Sequence, residues 1–153
     1  MIVRPRVSRT MFEKPLDPIV IGALIAVQTV LAASLVISGG SFWIDEFGTV
    51  RLADVATLAE WWEQFLGWHD SDLQMPLYHF YVFQWGKVFG LSEYSLHMAN
   101  WPLFALAQAV LLWTFRRAPL YALSLFFLSS VHPLVWYYVN EARPHMMIFM
   151  GAT

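Results

Sequence analysis

Three long stretches of the chain carry almost only apolar side chains, and they predict helices that cross a membrane. Residues 18–38, 96–115 and 119–139 contain no aspartate, glutamate, lysine or arginine. At about 1.5 Å per residue, each stretch is long enough for the roughly 30 Å hydrocarbon core of a bilayer. A fourth apolar stretch starts at about residue 145 and reaches only residue 153. The pattern therefore predicts an all-α integral membrane protein with three complete transmembrane helices and a truncated fourth.

The segment between the first two apolar stretches, residues 39–95, follows a different pattern. In residues 52–66, apolar side chains recur every three or four positions and acidic ones mostly take the other side, as in an amphipathic helix. A second helix is predicted to begin at Pro76, near its first helical position, and to end at Gly90. Because both are too short or too polar to cross a bilayer, we expect two interfacial helices in this first outer loop.

The charged residues predict how these elements are oriented. Basic side chains precede the first apolar stretch and fill the short link between the second and third, whereas residues 39–95 are mostly acidic. Basic residues mark the cytoplasmic side of membrane proteins. Residues 1–17 are therefore predicted to be cytoplasmic, and the loop 39–95 to face outward. The basic residues concerned are Arg4, Arg6, Arg9, Lys14, Arg116 and Arg117.

Composition agrees with a membrane protein and excludes some functions. Hydrophobic residues make up 58% of the chain and charged residues only 13%, which is too apolar for an ordinary soluble domain. The net charge of -2 provides no basic surface for nucleic acid, so no nucleic-acid partner is expected. The chain has no cysteine, which removes disulfides and thiol catalysis.

An acidic pair, Asp45 and Glu46, follows the first apolar stretch at the predicted outer surface. A carboxylate in such a place can accept a proton as a general base. Glu46 would either modulate the proton affinity of Asp45 through like-charge repulsion or orient substrate groups. Taken alone, the pair is also typical of a solvated helix start.

Four short motifs in a fixed order give the chain a family resemblance. They are W-x-D-E at 43–46, P-L-Y at 76–78, G-x-S-E-Y at 90–94 and Y-Y-x-x-E-A-R-P at 137–144. Their order and spacing resemble the GT-C membrane glycosyltransferases, closest to the protein-mannosyltransferase-like, aminoarabinose-transferase-like and lipopolysaccharide galacturonosyltransferase-like enzymes. Members of that family are several hundred residues long. The resemblance therefore implies that residues 18–153 are the N-terminal fragment of a GT-C transmembrane domain, inactive by itself.

The resemblance implies a hexosyl or pentosyl transferase and assigns roles to four residues. A sugar would pass, with inversion, from a polyprenyl-phosphate donor to a lipid, glycan or protein acceptor at the outer face of the bilayer. Asp45 matches the position of the family's catalytic acidic residue, with Glu46 as its modulator. Arg143 is the candidate for binding the leaving phosphate, since guanidinium pairs bidentately with phosphate. Glu141 would orient Arg143 or assist acceptor binding.

Cofactors and location complete the set of expectations. No cofactor is assigned, although a divalent cation is left open because some family relatives bind one. His69, Asp70 and Asp72 meet no metal-ligand template and are interpreted as a polar turn. The expected location is the inner (plasma) membrane of a bacterial cell, with the active site on the periplasmic face.

Two other classes of function remain as alternatives. The first is a noncatalytic membrane module for assembly or binding. The second is a transporter segment, which is less favoured because transport sites place charged groups within the spans, and the three apolar stretches have none.

Overall fold

The computed structural model describes residues 14–36, 44–68 and 74–153, except for the side chains of residues 35, 36, 44 and 45. Within these ranges the regular structure is helical, in eight elements. In chain order they are α1 (Pro18–Val36), α2 (Ile44–Ala53), α3 (Leu58–Leu66), α4 (Pro76–Phe89), α5 (Glu93–Thr114), α6 (Pro119–Val131), α7 (Pro133–Val139) and α8 (His145–Ala152).

The helix α5 is the centre of the packing. It contacts α1, α4, α6, α7 and α8, and Leu96, Ala99, Ala107 and Leu112 on it are fully buried. Its start is fixed by Ser92, whose side chain accepts a hydrogen bond from the backbone N–H of Ser95, an N-cap that satisfies one of the free donors of the first turn. Buried positions lie around most of the helix, as expected for an apolar helix enclosed by neighbours.

The prediction of three complete transmembrane helices and a truncated fourth is wrong. In the described part of the chain, α5 is the one helix long and apolar enough to cross a membrane, with a second such span if α6 and α7 are counted together. Within the residues whose side chains are described, α1 counts as a shorter apolar helix, Pro18–Ser34.

The predicted third span is bent, so it is not one continuous helix. The chain turns by 65° between α6 and α7. Pro133 cannot donate a backbone hydrogen bond and disfavours helical geometry in the residue before it, so α6 ends at this point. His132 then caps the new helix, because its Nδ1 accepts the backbone N–H of Leu134 at 3.2 Å. Charge content along residues 119–139 could not reveal this break.

The outer loop also differs from its prediction in one place. The amphipathic helix expected over 52–66 is interrupted, since α2 ends at Ala53 and α3 begins at Leu58. Thr57 and Glu60 cause the break by forming a capping box. The Thr57 hydroxyl accepts the Glu60 N–H at 3.2 Å, and the Glu60 carboxylate accepts the Thr57 N–H at 3.1 Å. The second predicted helix is present as α4, which ends before Gly90 at a positive φ of 81°.

The end of α2 packs against α3 and α4 in the interior of the protein. Leu52 of α2, Trp61 and Phe65 of α3, and Phe83 of α4 form a buried apolar cluster. The rings of Trp61 and Phe65 are stacked with centroids 5.2 Å apart. This cluster holds α2 against α4, which in turn packs on α5.

The capping box predicts a specific effect on stability. Thr57→Ala removes the hydroxyl that accepts the Glu60 N–H, so it should destabilise the protein by about 1 kcal/mol and lower Tm by about 2–4 °C. Thr57→Ser keeps the acceptor and should melt within about 1 °C of the wild type. Circular dichroism of detergent-solubilised protein measures both. An equal loss in the two variants would contradict the capping role.

Candidate functional site

The site is organised around the carboxylate of Glu46, which is 0% exposed. Its Oε1 accepts the backbone N–H of Ala142 at 2.6 Å and lies 3.3 Å from Nε2 of His97 on α5. Glu46 and Ala142 are 96 positions apart in the chain. A carboxylate removed from water requires such partners, so this contact joins α2 to the connection between α7 and α8.

Asn100, one helical turn after His97, also contacts the connection between α7 and α8, through backbone carbonyl groups. Its side-chain Nδ2 donates to the backbone oxygen of Tyr138 at 3.4 Å, to that of Arg143 at 3.3 Å and to that of Glu141. Asn100 is fully buried. The connection between α7 and α8, residues 140–144, is therefore held at an N–H by Glu46 and at carbonyls by Asn100.

Tyr78 of α4 lies against this cluster. Burial raises the pKa of Tyr78 well above its usual value, and the neighbouring Tyr81 and Glu46 raise it further, while Asn100 and Arg143 lower it. Tyr78 is therefore a neutral phenol in the folded protein. The charges of Glu46 and Arg143 both contribute to the electrostatic surroundings of Tyr78.

Glu141 and Arg143 form the more accessible side of the site. Glu141 is 8% exposed, and its Oε2 lies 3.9 Å from Nε2 of His145, at the start of α8. Arg143 is half-buried. Burial lowers the pKa of His145, and the positive charge of Arg143 lowers it further, whereas Glu141 raises it. A cation, a carboxylate and a neutral imidazole are thus neighbours here.

Two hollows lie beside α8. The larger, about 670 Å³, is lined by Tyr138, His145 and mainly apolar side chains of α5, α6, α7 and α8, among them Leu111, Leu125, Val135 and Phe149. The smaller, about 270 Å³, lies between the starts of α4 and α8 and includes Tyr78 and Pro144. His145 thus lines the larger, mainly apolar hollow and also lies 3.9 Å from Glu141 of the site.

Three of the four site residues predicted from the sequence come together. The hydrogen bond from the Ala142 N–H to Glu46 brings the start of α2 to the connection that carries Glu141 and Arg143, beside His97 of α5. The fourth, Asp45, belongs to the first turn of α2, but its side chain lies outside the described part of the structure. Glu46 points inward to Ala142, so the structure supplies a backbone contact that the sequence did not predict.

The residues named as metal-ligand candidates, His69, Asp70 and Asp72, also lie outside the described residues. Across residues 14–36, 44–68 and 74–153, no group of three or more His, Asp or Glu side chains is arranged to hold a metal ion.

The sequence interpretation missed His97, Asn100 and Tyr78. None of the three is assigned a role in the site by the sequence analysis. A signal was available for the first two, because they lie three positions apart at the beginning of an otherwise apolar helix and so share a face. Polar side chains in such a helix usually serve a partner or a site.

Comparison with protein-family models, curated proteins and solved structures finds no match to this chain.

The proximity of His145 to both charges predicts opposite effects of two substitutions. Arg143→Gln should raise the pKa of His145, and Glu141→Gln should lower it further. NMR titration of the imidazole Cε1–H resonance, assigned with His145→Gln, measures both. Movement in the same direction would contradict the arrangement.

The lowered pKa of His145 also makes the stability of the protein depend on pH. Because the folded-state pKa of His145 lies below its ordinary value, protons bind the unfolded chain more tightly. The contribution of the neutral His145 side chain to the free energy of unfolding is present at neutral pH. It is lost as pH falls through the folded-state pKa of His145. His145→Gln should therefore reduce the dependence of Tm on pH in the acidic range.

Proposed function

We propose that this chain forms part of a membrane glycosyltransferase, which moves a sugar from a polyprenyl-phosphate donor to an acceptor hydroxyl on a lipid, glycan or protein. The main support is the hydrogen bond from Ala142 to Glu46. It joins two of the four motifs that carry the resemblance to GT-C enzymes, the acidic pair and the E-A-R-P sequence, although they are far apart in the chain.

Arg143 is the proposed ligand of the donor phosphate. When the bond between the sugar and the phosphate breaks, its electron pair stays on a phosphate oxygen, and the added negative charge requires a cation. A guanidinium group can donate two parallel hydrogen bonds to that phosphate. Glu141 and His145 lie 3.9 Å apart in the same region, and the charge of Arg143 lowers the pKa of His145.

Asp45 is the proposed general base. As the acceptor oxygen attacks the anomeric carbon from the face opposite the phosphate, Asp45 takes the hydroxyl proton, and the configuration at that carbon inverts. Asp45 lies in the first turn of α2, directly before Glu46. Since the carboxylate of Glu46 is fully buried, we assign the proton transfer to Asp45 alone.

A polyprenyl-linked donor requires an apolar environment next to the charged site. The hollow of about 670 Å³ supports this proposal, because it is lined mainly by apolar side chains and His145 is among its lining residues. Large apolar side chains are also exposed on the outer faces of α1 and α6, for example Ile19 at 80% and Phe127 at 64%. Exposed apolar surfaces of this kind mark contact with membrane or protein. We propose that the reaction takes place at a bilayer, on the outer face that the distribution of basic residues in the sequence predicts.

The assignment of the base predicts the effect of Asp45→Asn in the intact protein. The amide cannot take the acceptor proton, so transfer should fall by about 10² to 10⁴. The assay follows radiolabelled sugar released from a panel of undecaprenyl-phosphate sugars in membranes. Asp54→Asn, which alters an exposed carboxylate just after α2, is the matched control and should leave transfer unchanged. Full activity of Asp45→Asn would remove Asp45 from the mechanism.

The phosphate site predicts a graded effect at Arg143. Arg143→Gln should weaken binding of undecaprenyl phosphate about 10- to 100-fold, since a charge-assisted hydrogen bond contributes about 1.5–3 kcal/mol. Arg143→Lys keeps the charge but loses the bidentate geometry, so its affinity should be intermediate. Arg117→Gln changes an exposed arginine between α5 and α6 and serves as the control. Thermophoresis in detergent micelles measures the affinities, and unchanged binding by Arg143→Gln would contradict the site.

A further inference from the structure

The connection that carries Arg143 is held through its backbone by two side chains from different helices. Glu46 of α2 accepts the N–H of Ala142 at 2.6 Å. Asn100 of α5 donates to the carbonyls on either side of that residue, those of Glu141 and Arg143. Together, these contacts fix the peptide units that flank Ala142, and therefore the point from which the Arg143 side chain leaves the backbone.

The surroundings of Glu46 favour this holding role over direct contact with substrate. The side chain is 0% exposed, and the same oxygen, Oε1, faces both the Ala142 N–H and Nε2 of His97. His97 is itself buried and lies on the same face of α5 as Asn100. The contact with His97 thus fixes the position of the Glu46 carboxylate relative to the α7–α8 connection.

We infer that Glu46 is a positioning residue that orients Arg143 to bind a lipid phosphate. It acts by accepting the Ala142 N–H, and His97 fixes its carboxylate. This inference rests on the proposed function, because it assumes that Arg143 binds the donor phosphate. It gives Glu46 a role distinct from that of its neighbour Asp45. The feature that matters is an oxygen acceptor at the right distance from Ala142, and the negative charge is secondary.

Two conservative variants separate an acceptor role from a charge role. Glu46→Gln keeps the chain length and a carbonyl oxygen for the Ala142 N–H but removes the charge. Glu46→Asp keeps the charge but is one methylene shorter, so its carboxylate cannot reach both partners. Positioning predicts that Glu46→Gln binds undecaprenyl phosphate within about threefold of wild type and that Glu46→Asp binds about tenfold more weakly. A charge or proton-transfer role predicts the reverse order.

Backbone exchange gives a readout that needs neither lipid nor activity. In Glu46→Asp, the amide hydrogen of Ala142 should exchange with solvent at least about tenfold faster, and in Glu46→Gln it should exchange at nearly the wild-type rate. Amides in the middle of α6, away from the site, are the internal control. If they accelerate equally, Glu46→Asp has lost the whole fold, and His97→Gln then serves as the milder variant, with the same selective acceleration at Ala142 expected.

The combined results distinguish failure of the inference from failure of the proposed function. Weaker binding by Arg143→Gln together with normal binding by Glu46→Asp would overturn the positioning role and leave the phosphate site intact. Normal binding by Arg143→Gln would overturn the phosphate site, and the inference with it. If the inference is right, Glu46→Asp combined with Arg143→Gln should bind no more weakly than Arg143→Gln alone, because both changes remove the same contact.

Discussion

The burial of the Glu46 carboxylate is the constraint on which the rest of the site depends. A carboxylate without water is stable only where other groups replace the solvent, and here the Ala142 N–H donates a hydrogen bond and Nε2 of His97 lies 3.3 Å away. These contacts bring three parts of the chain together: the start of α2, the first turns of α5 and the connection after α7. Removing either contact would leave a buried charge incompletely partnered, so this meeting point is more tightly specified than its apolar surroundings.

The helix α5 serves two purposes along its length. Its later turns pack against α1 and α6 through apolar side chains such as Leu111 and Leu112, and the buried Gln108 bonds Ser129 of α6 at 2.8 Å. Its first turns instead present His97 and Asn100 to the site. The same helix therefore supplies both the packing axis and the polar groups that hold the Arg143 connection, which couples the geometry of the site to the stability of the bundle.

Much of the element order was predictable from the sequence, but the number of complete spans was not. Apolar stretches located α1, α5 and the pair α6 and α7, and Pro76 and Gly90 located the limits of α4. The 65° bend after His132 and the interruption at Thr57 were missed, because each depends on local hydrogen bonds formed by one or two side chains. Average hydropathy over a window does not register such contacts.

For the candidate site, the sequence predicted the charged residues but not their geometry. Glu46, Glu141 and Arg143 were found through motif order, whereas His97 and Asn100 act through contacts that exist only once α5 packs beside α2 and the α7–α8 connection. A hydrogen bond between a backbone N–H and a side chain far away in the sequence produces no periodic pattern of residues. The inward direction of Glu46 is the clearest case, since an acidic residue after an apolar helix is ordinarily expected to face water.

The central claim is that the beginning of α2 and the Arg143 connection form one binding site for a lipid phosphate. Photocrosslinking tests it most directly, with a polyprenyl phosphate that carries a diazirine next to the phosphate and with peptide mapping by mass spectrometry. The account predicts labels in both the peptide that contains Asp45 and the one that contains Arg143, each suppressed by excess undecaprenyl phosphate. Labels confined to other segments, such as the arginine link between α5 and α6, or labels that excess lipid does not suppress, would contradict it.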